Sequence, residues 1–188
     1  MGVKMGLKQS QRREIAMLVL YEKQFQSPFD VDAAIDHIED NLSELNYETS
    51  FEELTEEEFT QIENQAQQLK QHVEVYGKHD PFNQVSLTEQ DQIELAALVT
   101  DILDHQEEID QMINKHIKGS WSVSRLENIN LQILRIAVYE MLFVDNDVTP
   151  LVVSIDQGLE LAKLYTDEKS RRFINGVLSS VMDELTAK

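Results

Sequence analysis

The sequence predicts an all-α fold. Apolar residues recur at three- and four-residue spacing along nearly the whole chain, and the strand alternation of apolar and polar residues is almost absent. The helix breakers Ser27-Pro28, Gly77, Asp80-Pro81, Gly119 and Thr149-Pro150 fall where periodic runs stop or start. About seven or eight helices with short connections follow, a bundle with no doubly wound nucleotide-binding sheet.

The first helix is expected from about Ser10 to Gln26, with Ile15, Leu18, Val19, Glu22 and Phe25 tracing one stripe and Ser27-Pro28 ending it. Val31, Ala34, Ile35, Ile38, Leu42 and Leu45 give a second stripe. Thr55 to Glu58 has capping-box spacing ahead of Phe59, Ile62, Ala66, Leu69 and Val73. Thr88 opens the next helix, through Ile93, Ala96, Ala97, Ile102 and Leu103, and Ile109, Met112, Ile113 and Ile117 continue the pattern to Gly119. Ser124 to Glu127 reads as a second capping box, leading into Ile129, Ile133, Leu134, Ile136, Ala137, Met141 and Val144. Thr149-Pro150 places a cap before a Pro at the first helical position, followed by Leu151, Ile155, Leu159, Ala162 and Tyr165.

The last helix carries the most informative run, Arg172-Phe173-Ile174-Asn175-Gly176-Val177-Leu178. Asn-Gly usually marks a hairpin turn, yet Phe173, Ile174, Val177, Leu178, Val181, Met182 and Leu185 keep helical spacing, so Gly176 reads as interior to a helix. A glycine there costs roughly 1 kcal/mol relative to Ala, which close approach of a second backbone or of a ligand would offset.

Charge bounds the partners. The chain of 188 residues is 41% hydrophobic and carries a formal charge of -19, which by itself disfavours nucleic acid. The excess is local, however: Asp30 to Glu74 holds 14 acidic residues against one Lys, while the first 13 residues carry Lys4, Lys8, Arg12 and Arg13 and no acid. Exposed charges are screened beyond about 10 Å at moderate salt, so one flank can repel a polyanion that another binds.

Zero cysteines exclude disulfides, thiolate metal sites and a thiol nucleophile. No apolar run approaches the roughly 20 residues of a membrane span and the first 30 residues do not read as a signal peptide, so the cytoplasm is the expected address. The five histidines, His37, His72, His79, His105 and His116, lack the spacing of a metal site. Glu56-Glu57-Glu58 and Glu107-Glu108 read as solvated helix faces, and the chain has neither a phosphate-cradling loop nor a nucleophile elbow. No enzyme activity, cofactor or metal is expected. Binding signals each have a plainer explanation: Arg171 and Arg172 follow Asp167 and Glu168 at ion-pair spacing, Phe173 has core spacing, and Trp121 reads as a cover over the core between two helices.

Taken together, the blocks Arg13-Glu14-Ile15-Ala16 with Leu20-Tyr21, Trp121 to Leu126, Ile133 to Glu140, Pro150, Glu160-Leu161-Ala162-Lys163 and Phe173 to Leu178 resemble, in order, the signature blocks of the bacterial NusB family of transcription antitermination factors. The resemblance covers residues 8 to 26 and about 93 to 185. It implies one NusB-like RNA-binding domain over 1–188. Its N-terminal subdomain would span about 8–92, including an acidic helical insertion at about 30–88, and its C-terminal subdomain about 93–188. It further implies binding of the single-stranded boxA element of rRNA leader transcripts together with the ribosomal protein NusE. The pair would then join the RNA polymerase antitermination complex with other Nus factors, with no membrane partner. By position, the resemblance assigns RNA contact to Lys8, Arg12, Arg13, Arg171, Arg172 and Phe173, and NusE contact to Tyr21 and Asn130. Gln9-Ser10-Gln11 stands where members often carry consecutive basic residues, and Asn130-Leu131 where an acid usually opens the helix. Two other functions fit the residues: a bundle that binds only proteins, and the accessory RNA-binding module of an rRNA methyltransferase, whose catalytic domain would need a separate polypeptide.

Overall fold

A computed structural model describes residues 7–44, 87–119 and 122–187, and within 41–44 the backbone only. The expected helix from Thr55 to Val73, the Gly77 and Asp80-Pro81 breaks and Trp121 lie outside the described residues. Among the described residues there are seven α-helices and two short 3-10 turns. The helices are α1 (Gln9–Glu22), α2 (Val31–Glu44), α3 (Glu89–Asp104), α4 (Gln106–His116), α5 (Asn128–Phe143), α6 (Leu151–Tyr165) and α7 (Glu168–Thr186).

Helix α5 is the axis of the fold. Asn130, Leu131, Gln132, Ile133, Leu134, Ile136, Ala137, Val138, Tyr139, Glu140 and Met141 are all buried, so the helix is enclosed on every face. It packs against α1, α3, α4, α6 and α7. Around it Ile15, Met17, Leu95, Ile102, Ile109, Ile113, Ile174 and Leu178 form a core with the fully buried Ile133, Leu134 and Ile136. Helices α1, α2 and α3 pack on one another at one side, and the expected subdomain boundary at residues 92 and 93 falls within α3.

Several expected boundaries move. The first α-helix stops at Glu22, and Lys23–Phe25 tighten into a 3-10 turn that rotates Phe25 out of the stripe to 69% exposure. The run from Thr88 to Ile117 is two helices, interrupted at His105. Ser124 and Glu127 form no capping box: Ser124 lies in the 3-10 turn Val123–Arg125, Leu126 is extended, and α5 starts at Asn128 without a side-chain cap. Pro150, not Thr149, sits at the cap of α6, its carbonyl accepting from Val153 N at 2.8 Å and Ser154 N at 3.2 Å.

Gly176 is interior to α7 as expected, but a Cβ built on it meets nothing within 4 Å. The close approach belongs to Gly158 on α6, where a Cβ would stand 3.2 Å from Ala137 Cβ and 3.2 Å from Leu178 Cδ1. That contact lets α6 lie tightly between α5 and α7.

Candidate nucleic-acid interface

Helix α1 owes its position to buried polar side chains as much as to Ile15, Met17 and Val19. Arg13 is 7% exposed and its Nε donates to Glu140 Oε1 at 2.6 Å, while Tyr165 Oη donates to Glu14 Oε1 at 2.5 Å. At the other end of α1, Asn128 Nδ2 donates to the Tyr21 carbonyl at 3.3 Å. These contacts run α1 antiparallel to α5, with residue 13 beside residue 140 and residue 21 beside residue 128.

The expected cations differ in availability. Lys8 is exposed at the cap of α1, its backbone N–H donating to Gln11 Oε1 at 2.9 Å. Arg12 bridges to α3, with Nη2 2.5 Å from Glu94 Oε2 and 3.8 Å from Asp91 Oδ1. Arg13 is enclosed, so it is a strut between α1 and α5 and no surface cation. On α7, both Arg171 (2.6 Å) and Arg172 (2.9 Å) pair with Glu168, yet the Arg172 side chain stays 78% exposed. Such solvated pairs are weak and exchange readily for a phosphate. Phe173 is half-buried and packs against the core.

Asp91 knits this region together. It closes a capping box with Thr88 and accepts from the Leu7 backbone N–H at 3.0 Å, tying the chain ahead of α1 to the start of α3. Burial pushes its carboxyl up, but hydrogen bonds from the Thr88 hydroxyl and the Leu7 and Thr88 N–H groups, with the Arg12 charge, more than offset it and hold the pKa below the ordinary 3.8. Asp167, the cap of α7, is likewise held low, chiefly by the Ser170 N–H at 2.7 Å.

The expected partner-facing residues separate. Tyr21 is half-buried, its ring 5.6 Å from that of the exposed Phe25. Asn130 is 6% exposed: Nδ2 donates to Ser170 Oγ at 3.2 Å and Oδ1 has no partner. It joins α5 to α7 and offers a partner no surface. Among the described residues, no group of three or more His, Asp or Glu could hold a metal ion.

Sequence spacing does not reveal a groove of about 690 Å³ between α1, α3, α5 and α6. Arg12, Glu94, Ala97, Leu98, Tyr139, Glu140, Val153 and Gln157 line it, together with the 75% exposed Val148. The Tyr139 hydroxyl donates to the Asp101 carboxylate; burial first, and then this bond, push its pKa upward. Arg12 Nε and Glu140 Oε2 are buried without a hydrogen-bond partner. The groove is assembled from residues up to 148 positions apart, Gln9 to Gln157, so no local motif announces it.

Comparisons with known proteins bear on these surfaces. The model of the NusB family matches residues 58–183, which takes in every signature block except the one in α1. The chain is 49% identical over 87 residues to the transcription antitermination protein NusB of Limosilactobacillus fermentum, covering 46% of this chain and 61% of that protein. To the Bacillus subtilis protein of the same name it is 40% identical over 88 residues, covering 47% and 65%. The match thus spans somewhat over three-fifths of the length of these curated relatives. Among solved structures, T. maritima NusB superposes with a TM-score of 0.63 at 21% identity, covering 96% of this chain and 94% of that one. A crystal structure of antitermination factors NusB and NusE in complex with dsRNA gives 0.57 at 22% identity, covering 93% and 96%. At such identities the likeness is one of fold, and it extends over α1, which the family model leaves out.

Proposed function

This chain belongs to the NusB family, and on that footing we propose that it is a cytoplasmic transcription antitermination factor that binds single-stranded boxA RNA together with NusE, recognising it without catalysis. The observation that carries the proposal is the start of α7, where the exposed Arg172 and the half-buried Phe173 stand in succession. Unstacked bases stack on exposed parts of aromatic rings while guanidinium groups meet phosphates. Lys8, Arg12 and Arg171 supply the remaining charge, with RNA phosphates displacing Glu94 and Glu168 from their arginines. Arg13 acts indirectly, holding α1 against α5. NusE meets the face around Tyr21, with Phe25 beside it, and Asn130 supports that face from within.

The test is a titration of the protein with boxA-like and scrambled RNA, each with and without NusE. Preferential binding of the boxA-like strand, strengthened by NusE, is expected. Binding of NusE without any RNA affinity would make the protein a protein-interaction bundle and overturn the RNA role.

A further inference from the structure

We propose that the groove between α1, α3, α5 and α6 is a nucleobase subsite that takes one flipped-out base of the bound RNA, a role that rests on the RNA-binding function above. The chemistry of the groove selects this occupant. Leu98, Val153 and the Tyr139 ring supply apolar walls for the faces of a flat heterocycle, and the volume of about 690 Å³ lies in the range of pockets that enclose small ligands. Two of its lining residues keep a buried polar atom without a hydrogen-bond partner: Arg12 Nε is a donor and Glu140 Oε2 an acceptor. Glu140 itself is 8% exposed. A base edge carries ring or exocyclic N–H groups beside a carbonyl or ring nitrogen, which the polar side chains lining the groove, the Arg12 guanidinium and the Gln157 amide, can match, whereas an aliphatic chain would leave them unmatched. Gln157, half-buried at the α6 wall, adds an amide that reads either kind of edge group.

Charge fixes the direction of entry. Arg12 belongs both to the groove and to the cationic end of α1 with Lys8, so a phosphate drawn to these two side chains leaves its nucleotide at the groove mouth. The partner of Arg12 at that mouth, Glu94, is already a solvated carboxylate that a phosphate can replace.

The test uses boxA-like single-stranded RNAs in which each nucleoside in turn is abasic, titrated against the full chain and against Ala97→Trp. Ala97 lines the groove but is exposed, so the indole fills the space without entering the core; Gln157→Leu is the second variant, and thermal unfolding checks that both fold. One abasic position is expected to weaken binding to the unmodified chain about tenfold or more, the usual worth of a buried or stacked base. Against Ala97→Trp the same abasic position should cost less than about twofold, with the salt dependence of binding unchanged because the phosphate contacts remain. Equal abasic penalties in all three proteins, at every position, would overturn the subsite and leave RNA binding standing. Absence of RNA binding by the unmodified chain would overturn both. Nucleoside monophosphates provide the last arm: they are expected not to displace the RNA, and displacement by one of them at low concentration would show a free-nucleotide site instead.

Discussion

Arg13 and Glu140, 7% and 8% exposed, are held almost out of water across 127 positions of sequence, and only one Glu140 oxygen is satisfied by the contact. Removing one member of such a pair strands a buried charge, so Arg13→Ala should destabilise the fold by about 3 to 5 kcal/mol in chemical denaturation. A loss of RNA affinity without loss of stability would return Arg13 to the surface role that its position in sequence suggests. The two glycines make opposite predictions. Gly176→Ala should raise stability by about 0.5 to 1 kcal/mol, because the helix gains and no atom stands within 4 Å. Gly158→Ala should lower it by about 1 to 3 kcal/mol, because Ala137 Cβ at 3.2 Å is fixed to a helix backbone and cannot yield. Thermal melts of the two variants decide both signs. Phe173, half-buried, should behave as neither core nor free surface. Phe173→Ala is expected to cost RNA affinity about 1 to 3 kcal/mol, and stability less than the roughly 3 kcal/mol of a fully buried ring.

At the scale of elements, helical period foretold α2, α3, α5, α6 and α7 because each has an apolar stripe that the core requires. The ends were harder to foresee. A capping box at Ser124 and Glu127 is sound local chemistry, but the 3-10 turn Val123–Arg125 takes up Ser124, and the connection to α5 wins over the local cap. The Thr88 cap was legible and is the better built, since Asp91 completes it and also receives Leu7. Of the site, sequence spacing foretold that Arg171 and Arg172 meet Glu168 within their own helix, but not the partners of Arg12 and Arg13, since Glu94 and Glu140 lie on other helices. The groove was invisible for the same reason. The cap makes a pH prediction: the Asp91 pKa is lower folded than unfolded, so the ionised cap contributes its full stability above the ordinary carboxylate value and loses it as pH falls through the folded value. Stability should therefore decline as pH drops below about 4, and Asp91→Asn should be less stable at neutral pH and less sensitive to acid across that window.

For the whole molecule, the proposed RNA contacts divide between the two ends of α5. Arg13 fixes its end of α1, with Arg12 beside it, to Glu140, while Ser170, a turn ahead of Phe173, is bonded to Asn130. The cations proposed to meet phosphate are few, namely Lys8, Arg12, Arg171 and Arg172. At about 0.7 per phosphate neutralised, the logarithm of the RNA binding constant should fall with the logarithm of salt concentration with a slope near -2 to -4. A slope of zero would remove the electrostatic part of the proposed function. The enclosure of α5 has a further consequence. Residues 130 and 140 stand ten positions apart, about 15 Å along the axis of a helix that is buried on every face, and each supports one of the two proposed RNA-binding ends. A support that cannot stretch measures what lies across it. Under the proposed function, an RNA with one nucleotide inserted between the contacted positions would loop the surplus out and keep both ends engaged, while one with a nucleotide removed would have to release an end, and α5 would then be a gauge of strand length that reads no base at all.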